Sequence, residues 1–114
     1  MKGIHHFGIA TNNHHKYVTM LSKKGFKFFK EGICPAYSTY CMFLKKGDDM
    51  IELCVGLNEN SPITKYLKKH KEGLHHLALN KKFKGGVKGA LPGMRVKFNL
   101  ENGVLLEEVD FDEI

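Results

Sequence analysis

Residues 3–10 read GIHHFGIA, and residues 73–80 repeat the pattern as GLHHLALN. Both run glycine, aliphatic, His, His, bulky apolar, small, aliphatic. A period of two marks each copy as a β-strand. In the first copy His5, Phe7 and Ile9 share one face, while Ile4, His6, Gly8 and Ala10 share the other. In the second, His75, Leu77 and Leu79 oppose His76 and Ala78. The faces carrying Phe7, Ile9, Leu77 and Leu79 are expected to pack against helices. His6 and His76 lie beside Gly8 and Ala78, where small neighbours leave room for a ligand.

The segments between the copies carry their own stop and start signals. Asn12 or Asn13 caps a helix over HHKYVTMLSKK, residues 14–24, with Tyr17, Met20 and Leu21 as its apolar stripe and Gly25 as its C-terminal stop. FKFFKEGI, residues 26–33, is a strand broken by Pro35. YSTYCMFLKK and MIELCVG form a hairpin around the Gly47–Asp49 turn. Ser61 as N-cap and Pro62 at the first helical position open a linking helix over residues 61–70. After the second histidine strand, KKFKGGVKGALPG has no helical periodicity, with room for a short strand around Val87. MRVKFNL, the turn ENG and VLLEEVDF close the chain as a hairpin. The expected fold is α+β: a βαβββ module over residues 1–57, the linking helix, and a reduced module over 73–114 that lacks its helix. Together they make one domain.

Each module begins on a histidine pair and ends on a strand with a glutamate. His6 and Glu52 are 46 residues apart, His76 and Glu107 only 31, a shortfall equal to a helix of about four turns. In MIELCVG, Glu52 points opposite to Ile51, Leu53 and Val55. In VLLEEVDF, Glu107 shares parity with Leu105, Val109 and Phe111, and Glu108 is the more exposed alternative. Two imidazoles and two carboxylates brought together from strands are a donor set for a divalent cation. His14, His15 and His70 lie on or beside helices and read as surface residues.

The composition bounds the partners. With 42% apolar and 26% charged residues the chain falls in the globular range. No apolar run reaches the ~20 residues of a membrane span, and the N-terminal stretch has no apolar leader, which points to the cytoplasm. Cys34, Cys41 and Cys54 are odd in number and lack CxxC spacing, which argues against a disulfide framework or a cysteine zinc site. The net charge of +6 comes from lysine pairs. Such pairs usually read as solvated surface; the functional reading is attraction of a small anionic ligand such as an acyl thioester. One arginine and scattered lysines argue against nucleic acid.

IHHFGIAT, FLKKGDDMIEL, NSPITKYLKKHKEGLHHLAL and NGVLLEE resemble the vicinal oxygen chelate superfamily, the glyoxalase I and bleomycin-resistance fold. Within it they are most similar to the methylmalonyl-CoA epimerases. The most specific part is SPI-x-K-x-L followed by EG-apolar-HH-apolar-A. The resemblance implies paired modules whose curled sheets enclose a metal centre, with His6, Glu52, His76 and Glu107 as ligands. It implies cobalt, nickel, manganese or zinc as cofactor, and a reaction that removes a proton α to a carbonyl of an acyl thioester. The epimerases' second-module helix is missing here, so Leu77 and Leu79 lose a cover that a homodimer partner could supply. Near the third strand stand Tyr37, Thr39 and Tyr40 with no carboxylate, which leaves Glu52 or Glu107 to act as both ligand and base. A lactoylglutathione lyase-like enzyme is the neighbouring alternative. An antibiotic-sequestering, non-catalytic protein is the alternative from another class, though such proteins typically lack the quartet. Four protein ligands also disfavour an iron dioxygenase, which needs open coordination for oxygen.

Overall fold

In the computed structural model, which describes residues 3–111, local capping sets the order of elements. Strand β1 (Ile4–Ala10) ends before Asn13, whose side chain accepts a hydrogen bond from the Lys16 amide and opens α1 (His14–Lys23). Gly25, at φ +96°, lets the chain reverse after the helix. Strands β2 (Lys27–Cys34), β3 (Thr39–Lys46) and β4 (Asp49–Gly56) follow, with a 3-10 turn over Pro35–Tyr37. Ser61 caps α2 (Pro62–Lys69) by accepting from the Ile63 amide at 3.2 Å. The chain finishes with β5 (Gly73–Asn80), the two-residue β6 (Val87–Lys88), β7 (Arg95–Glu101) and β8 (Val104–Asp110). Asn102 and Gly103, both at positive φ, form the tight loop between the last two strands.

Among the described residues all eight strands belong to one curled sheet in the order β2-β3-β4-β1-β5-β8-β7-β6, giving the mixed α+β glyoxalase-like fold with only two α-helices. At its centre β1 and β5 run antiparallel, with His6 opposite Ala78, Phe7 opposite Leu77 and Gly8 opposite His76. This register is self-complementary: a local two-fold axis through the Phe7–Leu77 pair exchanges His6 with His76 and Gly8 with Ala78. The outer neighbours obey the same axis. β4 lies parallel to β1 with Glu52 beside Gly8, and β8 lies parallel to β5 with Glu107 beside Ala78. Four donor residues therefore fall in one layer of the sheet.

The two faces are covered differently. On one, Ile9, Leu21, Leu44 and Leu53 form a buried cluster with Tyr17 and Val18 of α1. Val18, not Met20, completes the helix's apolar stripe; Met20 is 41% exposed. On the inner face Phe43, Met50, Ala78, Val96, Val109 and Phe111 from both halves make the main core. The expectation that Phe7 would pack under a helix is corrected: it is 43% exposed, while Leu77 and Leu79 are half-buried.

Residues 81–86 run along β8 in place of a second-half helix. Lys81 pairs with Glu108 at 2.9 Å, Lys82 with Asp110 at 3.1 Å, and Lys97 sits over the Phe83 ring. The far ends of the sheet approach each other. The Cys34 thiol donates to the Lys88 carbonyl, and Gly32 packs so closely on Ala90 that a Cβ would meet its carbonyl oxygen at 2.1 Å. Among the described residues no helix is long and apolar enough to cross a membrane.

Candidate metal centre

His6, Glu52, His76 and Glu107 converge on one point of the inner face, all four buried, with their donor atoms within 4.8 Å of one another. His6 Nε2 lies 3.1 Å from Glu52 Oε1, 3.1 Å from Glu107 Oε1 and 3.3 Å from His76 Nε2. His76 Nε2 lies 3.1 and 3.2 Å from the same two carboxylate oxygens. The inward carboxylate of β8 is Glu107; Glu108 turns outward to Lys81. Val109 and Phe111 share parity with Glu107 because this face is itself the core.

These contacts overload the nitrogens. Each Nε2 faces three polar atoms and carries at most one hydrogen. Glu107 Oε1 is consequently buried without a hydrogen bond although two imidazoles are beside it. A single cation at the centre would satisfy all four donors at once. Ligand atoms bound at about 2.1 Å lie about 3.0–3.4 Å apart on adjacent octahedral or tetrahedral positions, which is the spacing seen here. The residues fit the group. Glu52, held by β4, and Glu107, held by β8, are rigidly placed by the sheet, and nothing in the quartet comes from a loop.

Without a cation, protons do its work. Burial by itself would lower the His6 pKa, but Glu52 and Glu107 outweigh it and raise it to about 10. His76 is raised to about 9 by the same balance. Burial pushes Glu52 and Glu107 upward, yet the two imidazoles hold both below the ordinary carboxylate range.

The other histidine of each pair lies where strand parity did not place it. Between Ile4 and His6, two residues of β1 oppose one of β5; between Gly8 and Ile9 the excess is on β5, at His75. Each extra residue is a β-bulge, and a bulge re-aims its side chain. His5 is therefore turned toward His6, with Nδ1 atoms 2.7 Å apart, and His75 toward His76, at 2.9 Å. The earlier placement of His5 and His75 on the opposite, helix-packing face fails for this reason, although His75 does also touch Tyr66 of α2. Burial lowers both pKa values to about 4, so each ring is neutral and keeps a lone pair. A neutral His5 Nδ1 can accept the His6 Nδ1 hydrogen, which frees His6 Nε2 as a donor to a cation. The signal available in the sequence was the doubling of the histidine itself.

His14 and His15 stack on each other and His70 stacks on Tyr66; none joins the cluster. A cavity of about 220 Å³ opens beside the quartet and is lined by Glu52, His76 and Glu107. Its walls are mainly apolar, with Ile63, Met94, Val96, Phe98 and Leu105, and carry Tyr37 and Thr39 as polar groups.

Comparison with known proteins bears on the fold and the family. The fold superposes on a hypothetical protein from Bacillus halodurans C-125 with a TM-score of 0.83 and 28% identity, covering 97% of this chain and 95% of that one. Methylmalonyl-CoA epimerase from Mycobacterium tuberculosis gives a TM-score of 0.85 at 22% identity, covering 97% and 89%. The Streptomyces coelicolor epimerase in complex with 2-nitronate-propionyl-CoA gives 0.82 at 21% identity, covering 99% of both chains. No curated protein matches the sequence significantly. The family pattern matches residues 5–90, from the first histidine pair to the segment after the second. The chain belongs to the glyoxalase/bleomycin resistance protein/dioxygenase superfamily.

Proposed function

We propose that this chain is a divalent-metal-dependent epimerase or isomerase that removes the proton α to the carbonyl of an acyl thioester, acting as one domain with His6, Glu52, His76 and Glu107 as metal ligands. The observation that carries the reading is the closed quartet, three of whose members, Glu52, His76 and Glu107, line an apolar cavity. Support comes from superposition over nearly the whole chain on epimerases, one of them in complex with 2-nitronate-propionyl-CoA. Cobalt, nickel, manganese and zinc all suit two imidazoles and two carboxylates.

When bound, the cation supplies Lewis acidity for the enolate oxygen that forms as the α proton leaves. The chain supplies the rest. Ile63, Met94, Val96, Phe98 and Leu105 hold the acyl chain and exclude water. Tyr37, whose pKa burial raises, stays protonated and can donate a hydrogen bond into the cavity. Among the described residues no carboxylate lines the cavity besides Glu52 and Glu107. In this reading the two carboxylates carry the proton, one taking it from one face of the α carbon and the other returning it to the opposite face.

The test is solvent exchange. Metal-loaded protein in deuterium oxide should place deuterium at the α carbon of methylmalonyl-CoA or a related acyl thioester. Glu107→Gln should slow this by roughly 10²–10⁴-fold, the usual contribution of a general base. Turnover of a hemithioacetal instead would move the assignment to a lyase of the lactoylglutathione type. Metal-dependent binding with no exchange on either substrate class would leave a sequestering protein.

A further inference from the structure

The cavity wall beside the quartet carries a second group of donors. β3 and β4 pair with Cys41 opposite Cys54 and Phe43 opposite Glu52, so both thiols emerge on the face that bears Glu52. Cys41, Cys54 and Glu52 are all buried, all line the cavity, and bring two sulfurs and a carboxylate oxygen within 4.8 Å of one another. The 13-residue separation of the two cysteines hides this from any local spacing rule; only strand register reveals it.

We propose that Cys41, Cys54 and Glu52 form a second cation site, selective for a thiophilic divalent ion and joined to the first through a bridging Glu52. Thiolates favour soft and borderline cations, whereas the quartet offers only nitrogen and oxygen, so the two sites differ in the ions they prefer. Glu52 has the capacity to bridge: its Oε1 meets both imidazoles, and the Cys41 and Cys54 thiols already hydrogen-bond the same carboxylate, so a cation there would take the place of the thiol protons. Charge also balances. A dication at the quartet is neutralised by Glu52 and Glu107, and a dication at the new site by the two thiolates. No net charge is then buried. Three protein donors leave one position of a tetrahedral set facing the cavity, where a small sulfur or oxygen ligand can complete it. Cys34 is outside the group; its thiol is committed to the Lys88 carbonyl at 3.3 Å.

The site shares Glu52 with the proposed quartet but rests on thiols that the proposed reaction does not use. The probe is cadmium, added to protein stripped with chelator under reducing conditions. Native mass spectrometry should count two cadmium ions per chain, with a thiolate-to-cadmium charge-transfer band in the ultraviolet. Cys54→Ser should bind one ion and lose the band. His76→Ala should keep the band while losing the other ion, so failure of the quartet and failure of the thiol site are read separately. Should the serine variant not fold, alkylation of the native chain decides: cadmium must protect Cys41 and Cys54 and leave Cys34 as it was. One ion per chain without a charge-transfer band, or equal alkylation of all three thiols with and without cadmium, overturns the proposal.

Discussion

A Cβ built on Gly8 would sit 2.0–2.5 Å from three atoms of the His76 imidazole, closer than any real contact. Gly8→Ala must therefore push that ring from the quartet, at a packing cost of about 1–3 kcal/mol. The expected result is a folded protein with sharply reduced metal content, measured by inductively coupled plasma mass spectrometry beside the melting temperature; full metal content would refute the placement of His76. The bulge histidines allow a subtler experiment. His5→Phe keeps the ring volume but removes the acceptor for His6 Nδ1, and loss of such an orienting partner typically weakens metal binding by about 10–100-fold. His5→Asn, which restores an acceptor oxygen, should recover part of the loss in a competition assay with a chromophoric chelator. Strand parity was enough to single out His6, Glu52 and His76 from the sequence. It could not place His5 and His75, because a bulge is a property of two paired strands and the partner is 70 residues away. Nor could it choose Glu107 over Glu108, since in a curled sheet the face that bears the quartet and the apolar core are the same face.

Among the elements, α2 shows how much a cap can carry. Ser61 Oγ accepts from the Ile63 amide and lies 2.9 Å from Thr39 Oγ1. Thr39 gives its own hydrogen to the Tyr37 carbonyl, so the Ser61 hydroxyl is the donor in their shared bond. Ser61→Ala removes a cap and leaves buried Thr39 without that donor, a loss of about 1–2 kcal/mol. The melting temperature should fall by about 4–8 °C per kcal/mol. Because Pro62 and Ile63 line the cavity, ligand affinity should fall with it while metal content holds. Loss of metal instead would mean that α2 supports the quartet itself. Helix ends were readable for the reason this cap works: Asn13, Gly25, Ser61 and Pro62 act within one turn. Met20 misled because a stripe of three positions fits two overlapping faces of a short helix, and only the sheet decides which is covered. The lysine- and glycine-rich segment was correctly read as non-helical. Its ion pairs with Glu108 and Asp110 depend on a distant strand and were not readable.

For the whole molecule, the buried quartet ties stability to both pH and metal, with opposite signs. His6 and His76 are raised from 6.5 to about 10 and about 9 in the metal-free fold. Their contribution is complete below pH 6.5 and is lost as pH climbs through those values. Glu52 and Glu107 are held below 4.5, so their contribution is present above that value and disappears as pH falls through their lowered ones. Chelated protein should thus melt at steadily lower temperature from pH 7 to pH 10. A cation must displace one proton from each imidazole, so its affinity rises with pH by up to about tenfold per proton per unit. At a free cation concentration 100 times Kd, binding adds about 2.7 kcal/mol to the native state. The melting curves of loaded and stripped protein should therefore separate as pH rises from 6 to 9, the loaded form holding while the stripped form declines. Curves that stay parallel across that range would show that the two imidazoles do not exchange their protons for a metal ion, and the quartet would be a buried ion-pair cluster that only stabilises the sheet.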